Sequence, residues 1–172
     1  MNKMTISIIY ATDENDVLGV NGKMGWYVPE DMRYFKAVTL GEVCIMGRKT
    51  YESLPSVLPG RVNIVLSRDP DFAASFSVTR SKNVYIVPKM SIAVYISKSY
   101  FPNREIFIIG GAQVYKHALK YFPVSFIYKT IIRKKAVISS DDNVVYFRPS
   151  HKKFDLLERI KTKKCIFELY AR

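Results

Sequence analysis

Short apolar runs rich in isoleucine and valine alternate with segments of helical pattern along most of this chain. The runs are four to seven residues long, as buried strands are, and they occupy residues 5–11, 43–46, 62–66, 84–87 and 105–109. Strands that alternate with helices pair in parallel, because each helix carries the chain back to the same edge of the sheet. The pattern therefore predicts an α/β fold with a mostly parallel sheet.

Helices are predicted between these runs. Pro29 suits the first turn of a helix, where its missing N–H costs nothing, so a helix is expected at 29–38. Further helices are predicted at 48–54, 91–99 and 112–121. Each of them follows an apolar run, as the α/β pattern requires.

The last third of the chain alternates apolar and polar residues more strongly. Residues 124–137 and 154–172 therefore predict long antiparallel strands, with 138–153 as the connection between them. Residues 12–28 contain three glycines and predict a long functional loop, whereas residues 68–83 predict a polar and irregular segment. With 172 residues, the whole chain (1–172) has the size of a single domain.

The chain is strongly basic, with a formal net charge of +12, and the excess is uneven. Residues 101–172 contain 15 Lys and Arg but only six Asp and Glu. Such an excess attracts anionic small molecules, or nucleic acid and acidic proteins at a basic surface. For most of these charges a solvated, exposed position is the simpler interpretation.

Cysteine usage and hydropathy indicate a soluble, cytoplasmic protein. Cys44 and Cys165 lie in apolar runs, and we expect two reduced thiols, with a disulfide between them as the alternative. No apolar run approaches the roughly 20 residues that a membrane helix needs. The first residues reach acidic positions before any small-residue cleavage site, so no signal peptide is expected.

Three strand-to-helix junctions have residues suited to phosphate groups. At 46–50 a glycine turn opens a helix whose free N–H groups can meet an anion, and Arg48 and Lys49 add positive charge. Residues 109–114 include two glycines, which let the backbone approach a pyrophosphate without an intervening Cβ. Residues 66–69 end a third strand with a hydroxyl and a guanidinium.

Each junction alone is a weak signal, because double glycines commonly form turns or helix caps. Neither the GxGxxG fingerprint nor a P-loop occurs in the chain. The carboxyl ends of parallel strands gather at one edge of a sheet, however, and ligands bind there. The convergence of three junctions therefore predicts a dinucleotide site, and the two basic junctions favour NADP over NAD.

Asp31 is the candidate catalytic acid. It lies near a helix N-terminus, where an exposed capping carboxylate is the structural alternative. It shares a helical face with Phe35 at i, i+4, and Met32 neighbours both. An apolar pocket would raise the pKa of the carboxyl and suit it to proton exchange near neutrality. His117 and His151 have no metal-ligand spacing, so no metal site is expected.

Several segments together resemble the dihydrofolate reductase family. They are ISIIYA, DVLG, the stretch 26–36, IMGRKTYES, LPGRVNIVLS, FIIGGAQVY, YKTII and the terminal FEL. The resemblance implies an α/β fold with an eight-stranded, mostly parallel mixed sheet, an antiparallel C-terminal edge and about four flanking helices. It implies that NADPH reduces dihydrofolate to tetrahydrofolate for one-carbon and thymidylate metabolism, and that the site binds antifolates. The sequence does not give the oligomeric state, and a monomer is the default expectation.

The resemblance also implies roles for individual residues. Asp31 would anchor the pterin and help to protonate its N5 atom, Thr130 would support Asp31, and Arg61 would bind the glutamate-tail carboxylate. Residues implied in catalysis are Asp31, Trp26, Met24, Tyr115 and Thr130. Those implied at the substrate are Ile9, Tyr10, Asp31, Met32, Phe35, Leu54, Leu58, Arg61, Ile109 and Thr130. Those implied at the cofactor are Ala11, Leu18, Gly47, Arg48, Lys49, Thr50, Leu66, Ser67, Arg68, Gly110, Gly111, Ala112, Gln113, Val114 and Tyr115, with a cis bond between Gly110 and Gly111.

The sequence departs from the family pattern in several places. Gly25 stands where a proline precedes the tryptophan, which predicts a more mobile loop and altered closure over the cofactor. Tyr10 replaces a smaller residue, and its bulk is expected to narrow the pterin pocket or weaken antifolate binding. Residues 68–83 are longer than usual, and either Asp141 or Asp142 would anchor the loop at 12–28.

Two other functions remain open from the sequence. A fold relative such as the riboflavin-pathway reductase would share NADPH but act on a phosphoribosyl-pyrimidine, and the combination of Asp31, Phe35 and Arg61 argues against it. A binding module would keep the fold and use its basic C-terminal half for nucleic acid or a protein assembly. No nucleic-acid motif supports that function.

Overall fold

A computed structural model describes residues 4–79 and 83–172 of the chain. Its described strands are β1 (Ile6–Asp13), β2 (Val17–Val20), β3 (Val43–Gly47), β4 (Val62–Leu66), β5 (Val84–Val87), β6 (Ile106–Gly110), β7 (Val124–Ile132), β8 (Val144–Tyr146), β9 (Asp155–Lys161) and β10 (Cys165–Ala171). Its described helices are α1 (Pro29–Thr39), α2 (Arg48–Ser53), α3 (Pro70–Thr79), α4 (Met90–Tyr100) and α5 (Ala112–Tyr121). None of these helices is long and apolar enough to cross a membrane.

Eight strands form one sheet in the order β5-β4-β3-β6-β1-β7-β10-β9. The six strands from β5 to β7 pair in parallel, whereas β10 runs antiparallel to β7 and β9 antiparallel to β10. The predicted mixed sheet with an antiparallel C-terminal edge is therefore confirmed. β2 and β8 form a separate two-stranded sheet beside it.

The prediction of an irregular segment at 68–83 is wrong, because α3 occupies much of it and brings the helices of the described residues to five. Asp69 caps this helix: its Oδ1 accepts hydrogen bonds from the backbone N–H groups of Asp71 at 3.0 Å and Phe72 at 3.2 Å. Pro70 follows in the first turn, where proline is favoured. The Asp69-Pro70 pair was the sequence signal for the start of this helix. Residues 80–82 of the predicted segment lie outside the described residues.

Two predicted long strands are shorter than expected. β7 ends at Ile132, and residues 154–172 form the hairpin of β9 and β10 instead of one strand. Thr162 makes the turn, since its backbone N–H donates to the Cys165 carbonyl at 2.8 Å and its hydroxyl oxygen accepts from the Cys165 N–H at 3.0 Å. The predicted loop at 12–28 contains β2, and the predicted connection at 138–153 contains β8.

The core lies in layers on the two faces of the sheet. Ile8 and Tyr10 of β1 belong to the larger apolar cluster, which also contains Ile108 of β6. Ile9 belongs to a second cluster, because successive strand residues point to opposite faces. Both cysteines are buried and free, as predicted for reduced thiols: Cys44 lies in the second cluster and Cys165 in a third one.

Asp142 anchors the loop that contains β2. Its Oδ1 accepts a hydrogen bond of 2.6 Å from the Asn21 side chain, and its Oδ2 accepts one from the Ser139 N–H. Asn21 and Asn143 also exchange two bonds, at 2.8 and 2.9 Å. The Asp141 carboxylate accepts a hydrogen bond from the hydroxyl of its neighbour Ser140, and its side chain forms no other hydrogen bond within residues 4–79 and 83–172. The structure thus selects Asp142 from the two predicted candidates.

We expect Asp142→Ala to loosen the loop and Asp141→Ala to leave it unchanged. Removal of the Asp142 carboxylate breaks its bond to Asn21, whereas the Asp141 side chain forms no hydrogen bond with the loop among the described residues. Amide hydrogen exchange should become several-fold faster at residues 17–23 in Asp142→Ala alone. Equal exchange rates in the two variants would contradict the assignment.

Candidate active site

Asp31 lies in the first turn of α1, and its side chain is buried rather than exposed as a cap. Only 6% of the residue is accessible to solvent, and burial raises the pKa of its carboxyl. A hydrogen bond with the Thr130 side chain acts in the opposite direction. Thr130 is itself buried on β7, where it pairs with Ala11 of β1. The predicted capping alternative is therefore not what the structure shows.

An apolar wall adjoins this acid on the same face of the sheet. Ile9 comes from the middle of β1 and Ile109 from the carboxyl end of β6, and Phe35 lies one turn after Asp31 on α1. Leu54 and Leu58, which follow α2, pack in the same cluster. The structure thus gathers five of the predicted substrate-lining residues. Met32 lies outside the cluster, with 42% of its surface exposed, because the next position on a helix faces another direction.

Trp26 packs in a third apolar group that includes Ala11, Val28 and Phe167. Its indole Nε1 is buried and has no hydrogen-bond partner within residues 4–79 and 83–172. An unsatisfied buried donor costs roughly 1–3 kcal/mol, so such a group is most stable when a ligand or a water accepts its hydrogen bond. Trp26 therefore offers a donor near the N-terminus of α1.

Arg61 lies behind Phe35 and is 4% exposed. Its guanidinium donates to the Thr39 hydroxyl at 3.2 Å and to the Pro59 carbonyl at 3.1 Å, and it lies 5.8 Å from the Phe35 ring centroid. Within the described ranges it pairs with no carboxylate, and burial lowers its pKa. A buried cation without a counterion is suited to bind an anionic ligand group.

Tyr115 of α5 lies beside the middle of β1 and the carboxyl end of β6. Its hydroxyl donates to the Ile9 carbonyl at 2.9 Å, and the residue is 3% exposed. Burial raises the pKa of the Tyr115 phenol, and the negative charge of Asp31 adds to the effect. The Asp31 carboxylate thus disfavours ionisation of the Tyr115 phenol.

Tyr10 packs against Tyr115 from the other side, in the larger apolar cluster. Its ring centroid is 5.8 Å from that of Tyr115 and 4.9 Å from that of Phe147. Ile9 and Tyr10 face opposite sides of β1, so Tyr10 does not join the wall that Ile9 helps to form. The expected narrowing of the pterin pocket by Tyr10 has no support in this placement.

Glycines at the junctions of β3 and β6 let the backbone pack closely against α2 and α5. A Cβ on Gly47 would lie 3.2 Å from the Val114 side chain, and a Cβ on Gly110 would lie 3.2 Å from the Tyr115 hydroxyl. Gly110 has φ +132°, which side chains rarely adopt, and its bond to Gly111 is cis. The Thr50 hydroxyl lies beside both glycines of this pair.

The cations at these junctions differ in their partners. Arg48 binds Asp69 at 2.5 Å and Glu52 at 3.4 Å, so part of its charge is already compensated. Lys49 and Arg68 are exposed and form no ion pair within the part of the chain that is described. The predicted positive edge therefore exists, but Arg48 would have to share its guanidinium with two carboxylates.

The remaining predicted cofactor residues lie around these junctions. Four of them are half-buried against the larger cluster: Ala112 and Val114 on α5, Leu66 at the end of β4, and Leu18 on β2. Gln113 is exposed. The Ser67 hydroxyl oxygen accepts from the Asp69 N–H at 3.2 Å. Met24 is 47% exposed.

Gly25 lies against the segment that follows β7. A Cβ at this position would be 3.0 Å from the Ala136 Cβ and 3.3 Å from a Val20 methyl group. Such contacts are tighter than almost all real ones, so a larger residue would require movement of Ala136. The proximity gives a packing reason for glycine here; the predicted loop mobility stays a prediction.

Two residues near the site were not predicted. Phe147 is 2% exposed and lies 5.0 Å, between ring centroids, from Tyr115. Tyr34 packs on Phe167 with 4.5 Å between ring centroids. Burial raises the pKa of its phenol to about 12, and the charge of Asp31 adds a smaller effect. Phe147 lay in a segment interpreted only as a connection, although its apolar run VVYF was a signal for buried structure.

Comparison with known proteins identifies a family for this arrangement. The profile described as dihydrofolate reductase matches residues 5–168. Dihydrofolate reductase type 3 of Salmonella typhimurium is 40% identical over 116 residues, which are 67% of this chain and 65% of that protein. Dihydrofolate reductase of Neisseria gonorrhoeae is 42% identical over 117 residues, 67% of this chain and 66% of that protein.

A longer match covers nearly the whole chain. The bifunctional dihydrofolate reductase-thymidylate synthase of Daucus carota is 33% identical over 186 aligned residues, which cover 98% of this chain and 34% of that protein. The chain spans 65–66% of the length of the two bacterial relatives, just under two thirds.

We expect Asp31→Asn to stabilise the fold at alkaline pH and not at acid pH. Because the pKa of Asp31 is raised in the folded state, the native chain keeps a proton that the unfolded chain has lost. Stability therefore falls as the pH rises through this range, and asparagine avoids that loss. The melting temperature should rise by about 2–4 °C at about pH 8 and by none at about pH 3.

Glu30→Gln is the matched control, since it removes the same charge from the preceding, only half-buried residue. Its melting temperature should follow that of the unmodified protein at both pH values. An equal gain in both variants would mean that general charge, and not burial of Asp31, sets the effect.

We expect Gly110→Ala to destabilise the protein by roughly 1–3 kcal/mol, through backbone strain and contact with Tyr115. Two controls separate these causes in urea unfolding. Gly22→Ala tests backbone strain alone, because Gly22 has a φ of +77° and open space around it. Gly47→Ala tests a close contact alone, because its Cβ would lie 3.2 Å from Val114 and its φ is not positive. A loss in Gly110→Ala no larger than in Gly22→Ala would refute the contribution of the Tyr115 contact.

Proposed function

The chain belongs to the dihydrofolate reductase family, and we propose that it is an oxidoreductase that reduces dihydrofolate to tetrahydrofolate with NADPH. The observation that carries the proposal is the buried carboxyl of Asp31, which lies beside an apolar wall and has a raised pKa. We further propose a monomeric, single-domain, cytoplasmic enzyme of one-carbon metabolism that also binds antifolates.

Asp31 would anchor the substrate. A carboxylate accepts two parallel N–H bonds, so it can hold the amino group and adjacent ring nitrogen of a pterin in one plane. Ile9 and Phe35 would pack on the flat ring from the apolar cluster that they share. The indole N–H of Trp26, which has no partner among the described residues, would gain an acceptor in the substrate or its bound water.

Asp31 would also manage the proton that reduction requires. A carboxyl with a raised pKa exchanges protons closer to neutral pH than an exposed one, so it can assist protonation of the pterin N5 atom. Thr130 would orient the carboxyl through its hydrogen bond, and Tyr115 would border the reacting centre from β1 and α5. Trp26 and Met24 would close the loop side of the site.

The residues at the strand-to-helix junctions fit a dinucleotide. Gly47 and Gly110 pack closely on Val114 and Tyr115, where a Cβ would not fit without movement, and the dinucleotide would lie along the backbone of these junctions. NADPH, when bound, supplies a hydride. Thr50, Lys49 and the free N–H groups of α2 would bind phosphate, with Arg48 available once it exchanges a carboxylate for the ligand.

Arg61 would bind the glutamate tail of the substrate. Its guanidinium is buried beside Phe35 and has no carboxylate partner in the described residues, so a carboxylate ligand would complete its pairing. Its bonds to Thr39 and Pro59 fix its orientation. Such a fork-to-carboxylate pairing is what distinguishes arginine from lysine.

The test follows the loss of NADPH absorbance with purified protein and dihydrofolate. Dihydrofolate-dependent oxidation is expected, and Asp31→Asn should lower kcat by about 100-fold or more, because it removes the proton-exchanging group. The rate of the unmodified protein should fall as the pH rises through the pKa of Asp31, since the protonated form is lost. Glu30→Gln should retain the rate.

Absence of oxidation in a folded protein that still binds NADPH would reject dihydrofolate as the substrate. An Asp31→Asn variant with an unchanged rate and pH profile would reject the role of the carboxyl while leaving the reaction intact. The two outcomes are therefore distinguishable.

A further inference from the structure

Two adjoining cavities that open widely to solvent lie between α5 and the segment that follows β8, outside the proposed reductase site. Their volumes are about 520 and 290 Å³, and they share Lys116 and Arg148 in their walls. Lys120 and Ser150 line the smaller cavity, and Tyr146 lines the larger one. Together these open cavities offer room for a small, charged ligand that stays partly exposed to solvent.

Three cations face this space with one carboxylate among them. Lys116 and Lys120 stand one turn apart on α5, an i, i+4 pair of like charges that repel each other. Neither lysine forms an ion pair with any residue in 4–79 or 83–172. Arg148 is partly compensated, since its Nε lies 2.8 Å from an Asp16 carboxylate oxygen.

A role in stabilising α5 accounts for Lys120 but not for Lys116. Lys120 lies in the last turn of α5, where a cation complements the helix dipole, and its Nζ is 4.9 Å from the Tyr121 ring centroid. Lys116 has neither advantage, yet it borders both cavities. A bound anion would remove the repulsion between the three cations.

The floor between the cations is fixed. Phe147 is 2% exposed, its N–H donates to the Asp16 carbonyl at 3.0 Å, and its ring packs on Tyr10 and Tyr115. The Arg148 guanidinium lies 5.9 Å from the Tyr146 ring centroid. A concave, rigid floor with cations on both walls is suited to a compact anion.

We propose that these two cavities form a second site, which binds a small ligand that carries a chain of phosphate groups. The three cations match a phosphate chain in sign and number, and the Ser150 hydroxyl adds a donor. A single strand of nucleic acid fits less well, because it needs cations along an extended groove. The basic runs at 133–135 and 163–164 line neither cavity.

The test uses isothermal titration of the full chain with sodium tripolyphosphate. The double variant Lys116→Ala, Lys120→Ala removes two cations from the site, and Lys163→Ala, Lys164→Ala removes the same charge from the exposed turn between β9 and β10. We expect one tripolyphosphate per chain at this site, affinity at least tenfold lower in the first variant, and affinity within twofold of the unmodified protein in the second. Circular dichroism confirms that each variant is folded.

Three results would overturn the proposal. Equal losses in the two double variants would show general attraction by net charge. Binding that disappears in Arg48→Ala and persists in the Lys116, Lys120 double variant would place the anion at the junction of β3 and α2. Binding of a single-stranded oligonucleotide through Lys116 and Lys120, without binding of tripolyphosphate, would assign the surface to nucleic acid. None of these results depends on reductase activity.

Discussion

The pairing of β1 between β6 and β7 is the constraint on which the rest of the site depends. β1 brings Ile9 to the apolar wall and presents the Ile9 carbonyl to the Tyr115 hydroxyl. Its register with β7 sets Ala11 opposite Thr130, and Thr130 in turn bonds to Asp31. A slip of one residue would exchange the faces of β1 and move Ile9 away from Phe35. The acid, its supporting hydroxyl and the apolar wall are therefore positioned by one strand.

Burial of Asp31 works against the stability of the fold. A carboxyl desolvated among apolar side chains costs free energy in its charged form, and its bond with Thr130 offsets only part of that cost. The surrounding layers supply the compensation, because β1 and its neighbour β6 are almost wholly buried. A sheet of this depth can hold one group in an unfavourable environment, and such groups concentrate at functional sites.

The sequence predicted the features that depend on local pattern. Apolar runs located the buried strands, and Pro29 located the start of α1. The Asp69-Pro70 pair carried the same kind of signal for α3, but the polar composition around it concealed the helix. Contacts between distant segments were beyond such reasoning. Asn21 bonds to Asp142 and not to Asp141 because of how remote elements pack. The same packing brings Lys116 and Arg148 to the walls of one cavity.

The two departures from the family pattern, Gly25 and Tyr10, each have a neighbour that accommodates them. Gly25 lies so close to Ala136 that a Cβ would require the alanine to shift, so the glycine fits its neighbour across the loop. Tyr10 has filled space between Tyr115 and Phe147, and its hydroxyl lies 3.4 Å from the His151 ring nitrogen. Its burial raises the pKa of the phenol, so the group stays neutral and needs only a hydrogen-bond partner. A departure at one position is therefore better interpreted with its contacts than as an isolated change.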